Sequence, residues 1–255
     1  MTWHNYLCTQ AQLCFCRLEA ASDINAAACC SYANKWFGAL SDEVRDSGVD
    51  LGKIRLEAAV GEDFSPHVNI PKPDSIAERS FQLVRYLSNR HPEGNWQQFL
   101  NSAGDGLRWA ESVVLSGISH GSTTSARFAK HQEVSRVVLF SGPRDQYDEW
   151  HGFPSATPTK RYFAFTHVLD GGWPSHYHRS WKMLGLEAHG SLHTVDGSQP
   201  PYSNSRTLIS SADVGGDANV AHTTVVPGSS ARKDDYGRYI YEDVWRYMFT
   251  HLCSS

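Results

Sequence analysis

Apolar residues recur along this chain with two periods, and the periods predict its elements. From Asp23 an Ala-rich stretch leads into Trp36, Phe37, Leu40 and Val44 at helical spacing, and Gly48 stops it. Ser75 and Glu78 have the spacing of a capping box, and Ile76, Leu83, Val84 and Leu87, with Phe81 beside them, supply the apolar face of a second helix that ends at His91-Pro92-Glu93-Gly94. Asn95 to Leu100 reads as one short helix. Ser180 to Leu186 reads as another, with Gly185 inside it. Tyr236 to Leu252 is the last helix, with Ile240, Val244, Trp245, Met248 and Leu252 as its buried stripe. Short β-branched and aromatic runs read as strands: Val113 to Ile118, Arg136 to Ser141 and Arg161 to Val168, with Leu192 to Val195 and Arg206 to Ser210 as shorter ones. Lys53 to Val60 also fits a strand, and Gln12 to Ala20 fits a short strand or a helix edge. Glu62 to Pro73, broken by three prolines, is loop. Strands alternating with helices predict an α/β fold, a mainly parallel sheet covered on both faces.

The run that organises the chain is Val113 to Ser122. A buried strand ends in Gly117-Ile118-Ser119-His120-Gly121, and helix-compatible residues follow to Lys130. Gly-x-Ser-x-Gly between a strand and a helix is the context of a nucleophile elbow. The sharp turn lifts Ser119 Oγ above the sheet, and the two glycines let strand and helix approach. The backbone N–H of His120, at the helix N-terminus, then faces developing negative charge as an oxyanion donor.

A serine hydroxyl needs a base, and the base needs an orienting acid. At elbows the chain order is Ser, then acid, then His. Asp170 ends RYFAFTHVLD before Gly171-Gly172, at the edge where ligands gather, and also fits a plain turn residue; Asp145 is the other candidate. Among 13 histidines, His222 lies between the last short strand and the final helix, in the polar stretch GGDANVAHTT, which reads as a loop. His167, His176, His178, His189 and His193 stay open as alternatives. His176-x-His178 has no further ligand at metal spacing, so no metal is expected. Trp173 and Tyr177, with Trp181, either wall an apolar substrate pocket or simply pack over the sheet.

Composition narrows the classes. The 255 residues are 40% hydrophobic and 20% charged, which suits one large domain and excludes global disorder. Net charge is −4 with no basic stripe, so nucleic acid is not an expected partner. No apolar run approaches the roughly 18 residues of a membrane span. MTWHNYLCTQAQLCFC lacks the basic and apolar regions of a signal peptide, and the cytoplasm is the default expectation. Five of the six cysteines sit in the first thirty residues, in no paired zinc pattern; they read as small buried thiols or, if the chain is exported, as disulfides. No repeat, low-complexity tract or linker divides the chain, so one domain over 1–255 is expected.

With these residues in view, the chain resembles the α/β-hydrolase superfamily, and within it a group of poorly characterised microbial serine-hydrolase-like members. The resemblance is carried by Trp109, VVLSGISHGSTTSARFAK, VSRVVLFSGPRD, Phe165 to Asp170, Trp181 with Leu184-Gly185-Leu186, Ala221-His222 and Val244 to Tyr247, and it covers about residues 53 to 250. It implies Ser119 as nucleophile, Asp170 as acid and His222 as base, a small-molecule ester substrate, and no cofactor. One departure stands out. Such enzymes carry an early strand and a Gly-rich loop that supplies the second oxyanion N–H; no such loop occurs before residue 60, and residues 1–52 form an atypical segment. Losing one such donor costs about 10²–10³ in rate. The expectation is therefore a serine esterase, with a hydrolase-like binding protein as the alternative and an acyltransferase or thioesterase as a third. The sequence does not fix the oligomeric state.

Overall fold

A computed structural model describes residues 12–15, 26–29, 36–40, 44, 50–145, 149–228 and 231–251. In chain order, β1 (Gln12–Phe15), β2 (Ala26–Cys29) and the short α1 (Trp36–Ala39) are followed by α2 (Leu51–Val60) and α3 (Ile76–Arg90). Next come α4 (Trp109–Ser112), β3 (Val113–Ile118), α5 (His120–His131), β4 (Arg136–Phe140) and β5 (Tyr162–His167). The remainder is α6 (Tyr177–Met183), β6 (His193–Thr194), β7 (Thr207–Ser210), α7 (Ala218–Thr224) and α8 (Glu242–Thr250).

The seven strands form one sheet in the order β2-β1-β3-β4-β5-β7-β6. The last five are mutually parallel, while β1 runs antiparallel to both β2 and β3. Every residue of β3, β4 and β5 is buried, which is why these strands are continuous runs rather than alternating ones. Alternate residues face opposite layers. Val113, Leu115, Val137 and Leu139 pack with Ile54 of α2, Val84 of α3, Phe128 of α5 and Trp181 of α6. Val114, Ile118, Val138, Phe140 and Phe163 pack instead with Val244, Trp245 and Met248 of α8. The fold is thus of the α/β class, a five-stranded parallel sheet with flanking helices. Among the described residues no helix is long and apolar enough to cross a membrane.

Several expectations are corrected. Lys53 to Val60 is helix, not strand. Ile54, Ala58 and Ala59 are fully enclosed, and even Arg55 and Glu57 are buried, so the segment shows no amphipathic stripe to mark its period. Glu57 is accommodated by accepting hydrogen bonds from the N–H groups of Phe64 (3.2 Å), Ser65 (3.1 Å) and Ile70 (2.8 Å). In place of a long helix from Asp23, Ala26–Cys29 pairs as β2, so cross-strand pairing overrides the helix propensity of alanine. Asp23, Gly48, Leu252 and four cysteines (Cys8, Cys16, Cys30 and Cys253) lie outside the described residues. Gly185 ends α6 at φ 75° instead of lying within it. The last helix begins at Glu242. Upstream of it Asp234 accepts the N–H groups of Tyr236 and Arg238, both at 2.9 Å, and Gly237 turns the chain at φ 78°, leaving Ile240 exposed. By contrast, Ser75 caps α3 as its sequence indicated, its Oγ accepting the Glu78 N–H at 3.2 Å.

One of the tightest backbone contacts lies where β3 meets α5. A Cβ on Gly117 would sit 2.3 Å from the carbonyl carbon of Gly121 and 2.6 Å from its oxygen. Both are backbone atoms and cannot rotate away. Gly117→Ala is therefore expected to lower stability by about 2 kcal/mol, while Gly152→Ala, whose Cβ would meet nothing within 4 Å, stays near neutral. Thermal melts of the two variants check this.

Candidate active site

Ser119 links β3 to α5 at φ 56° and ψ −116°, a conformation that costs a non-glycine residue about 1–3 kcal/mol. Hydrogen bonds on both sides hold it there. Its N–H donates to Phe140 O (3.0 Å), continuing the β3–β4 ladder by one step. Its carbonyl accepts from Ser122 Oγ (2.6 Å), Thr123 N (3.1 Å) and Thr123 Oγ1 (3.1 Å). The Ser119 hydroxyl makes no capping bond to the helix it precedes. The side chain is half-buried at the carboxyl edge of the parallel strands.

Asp170 stands three residues beyond the end of β5 and is 2% exposed. Its Oδ1 accepts from Gly172 N (2.9 Å) and Tyr177 Oη (3.0 Å). Its Oδ2 takes Thr166 Oγ1 (3.4 Å) and faces Nδ1 of His222 at 2.8 Å. Burial pushes the carboxyl pKa up. The His222 and Gly172 hydrogen bonds and the nearby imidazole more than offset this, and the pKa lies below the ordinary carboxylate value. A carboxylate at Nδ1 assigns the proton of neutral His222 to that nitrogen and leaves Nε2 as the basic atom.

His222 lies on α7, not in a loop. Asp217 caps that helix by accepting from Asn219 N (2.8 Å) and Val220 N (3.3 Å). The His222 carbonyl accepts Ser141 Oγ at 2.8 Å, and Ser141 N–H donates to Phe165 O at 3.0 Å. Ser141 directly follows Phe140, the residue that holds the Ser119 N–H. The histidine is therefore tied to the strand end beside Ser119. Among the described residues its side chain bonds Asp170 and makes no hydrogen bond to Ser119 Oγ. In enzymes without substrate this contact is often long and tightens only in the complex.

The remaining candidates sit elsewhere. Asp145 forms a buried fork with Arg55 of α2, Nη2 to Oδ1 at 2.9 Å and Nε to Oδ2. His167 is a core residue, bonded to Ala212 O (2.7 Å) and accepting Leu169 N–H (3.1 Å). His178 pairs with Glu187 at 3.0 Å and His189 with Thr159 at 2.8 Å. No group of three potential metal ligands occurs among the described residues. Trp173 is half-buried, stacked on His178 and tilted against Trp181. Tyr177 is fully buried with its hydroxyl on Asp170, so it braces the carboxylate where a pocket wall was expected.

Sequence reasoning missed Arg55. Its Nη1 reaches His120 Nδ1 (3.3 Å) and Thr124 Oγ1 (3.2 Å), and its guanidinium lies 5.5 Å from the Trp36 ring. The only signal was a cation placed between apolar residues, Ile54 and Leu56. Burial first, then the Arg55 charge, lowers the His120 pKa to about 4, so this imidazole is neutral at pH 7.

Comparison with protein-family models, with curated proteins and with solved structures gives no match for this chain. Fold and site together define an α/β protein with a strained serine and a histidine–carboxylate pair at the carboxyl edge of its parallel strands.

The His120 pKa predicts a pH effect. An unfolded histidine titrates near 6.5, so between pH 6.5 and about 4 the unfolded chain binds more protons at this site. The contribution is full above pH 6.5 and is lost as pH falls towards 4. Wild type is expected to lose up to about 3 kcal/mol more over that window than His120→Gln, measured by urea unfolding at stepped pH.

Proposed function

We propose that this chain is a serine hydrolase that cleaves a carboxylic ester, on an α/β-hydrolase fold with an altered N-terminal part. The observation that carries the reading is the buried Asp170 held against His222 at 2.8 Å, with the His222 backbone tethered to the strand end next to a strained Ser119. Ser119 Oγ attacks the ester carbonyl as His222 Nε2 takes its proton. Asp170 stabilises the imidazolium, which then protonates the departing alcohol. The His120 N–H and the positive end of α5 face the oxyanion. Water, activated by the same imidazole, resolves the acyl-enzyme and regenerates the serine.

A second reading, a binding protein without turnover, is favoured by one observation. The strand beside β3 is the antiparallel β1, and the early strand and Gly-rich loop that such hydrolases carry have no counterpart in the sequence before residue 60. The oxyanion site then depends more heavily on α5.

A fluorophosphonate probe separates the two. Wild type is expected to gain one covalent adduct on Ser119 by mass spectrometry, and Ser119→Ala none. Asp170→Asn is expected to lower kcat/KM for 4-nitrophenyl butyrate by about 10³-fold or more. Labelling that persists in Ser119→Ala would remove that serine from its role, and folded wild type that takes no label would favour the binder. Transfer to an added alcohol in preference to water would redirect the assignment to an acyltransferase.

A further inference from the structure

Arg144 lies beside the site, and the reading above gives it no task. It follows β4 in the loop that faces the elbow. Its backbone N–H donates to Thr123 Oγ1 at 3.1 Å, and the same hydroxyl donates to Ser119 O at 3.1 Å. A single side chain therefore joins the Arg144 backbone to the nucleophile's own carbonyl. On the other side, Arg144 O accepts Ser180 Oγ at 3.4 Å. The guanidinium lies over the ring of Tyr177, 5.9 Å from its centroid, and that tyrosine is fixed by its bond to Asp170. Arg144 is thus anchored to both the serine side and the acid side of the site, yet it is exposed.

Among the described residues no carboxylate neutralises its charge. The adjacent Asp145 is buried and occupied by Arg55, and Asp170 has four partners of its own. No carboxylate pairs with Arg144 among the described residues. His120 and His176 both sense this cation, although burial is the larger cause of their lowered pKa values. A guanidinium held over an aromatic ring and anchored at its backbone is preorganised for two-point binding of a planar oxyanion. At an ordinary surface position a lone arginine has neither constraint.

We propose that Arg144 selects the substrate: the ester carries a carboxylate on its acyl or its alcohol part, and Arg144 binds that carboxylate while Ser119 attacks the ester carbonyl. This rests on the hydrolase reading and specifies what that site accepts.

Two matched pairs test it, with spontaneous hydrolysis subtracted. Mono-4-nitrophenyl adipate against 4-nitrophenyl hexanoate places the charge on the acyl side. 4-Butyryloxybenzoate against its methyl ester places it on the alcohol side. In at least one pair, kcat/KM for the anionic ester is expected to exceed that of the neutral one about ten-fold at low salt, and to lose this advantage as salt rises. Arg144→Gln should cut the anionic-to-neutral ratio about ten-fold, the effect of one charge-assisted hydrogen bond, and Arg144→Lys should retain part of it. The ratio is internal to each protein, so it is insensitive to partial loss of folded enzyme. Wild-type turnover with no preference in either pair, a preference indifferent to salt, or one that survives in Arg144→Gln overturns the proposal and leaves the hydrolase intact. Absence of both turnover and fluorophosphonate labelling overturns the hydrolase, and this proposal with it.

Discussion

The structure around the site depends on one backbone turn. Ser119 is held at φ 56° by a ladder bond to Phe140 on one side and by three donors to its carbonyl on the other. This costs about 1–3 kcal/mol. It persists because Gly117 and Gly121 let α5 descend onto β3 until their backbones touch. The neighbouring strand end is drawn into the same arrangement: Ser141, itself at φ 46°, directs its hydroxyl to the His222 carbonyl. A Cβ on Gly142 would come within 2.0 Å of Ser122 Oγ. Two adjacent parallel strands therefore end in interlocked turns, and the positions of Ser119 and His222 are set relative to each other through a shared sheet register.

Two buried carboxylates near this turn have opposite assignments. Asp170 is solvated by N–H and O–H donors and faces an imidazole that remains 27% exposed on its side chain. That pairing leaves the imidazole within reach of solvent. Asp145 is locked to a guanidinium that cannot deprotonate, with both side chains almost fully enclosed. Burying that pair offers little net stability by itself, but removing one partner would strand a charge, so the pair fixes α2 against the loop after β4. Burial and then the Arg55 charge disfavour a cationic His120.

Much of the fold was legible along the chain. β3, β4 and β5 are short, β-branched or aromatic, and bounded by glycine, proline or polar turns, and α3 announces itself by the Ser75 cap and a strong apolar stripe. What was not legible has a common cause. α2 is enclosed on nearly every side, so burial erased the periodicity that distinguishes helix from strand. β2 is alanine-rich and becomes a strand through pairing with β1, a long-range contact no local window contains.

The same division holds at the site. Local sequence singled out Ser119 because a strand, two glycines and a helix of the right composition leave one way to turn, while chain order favoured Asp170 over Asp145 and His222 over five other histidines without excluding them. Which aspartate meets the imidazole was decided only by tertiary structure. Asp145 and Asp170 both follow buried strands and look alike in sequence, but α2 presents Arg55 to one and α7 presents His222 to the other. Tyr177 likewise reads as a pocket aromatic until its hydroxyl is seen on Asp170. The turn at Ser119 is written in neighbouring residues, whereas the partner of a buried charge comes from whichever distant element the packing brings against it.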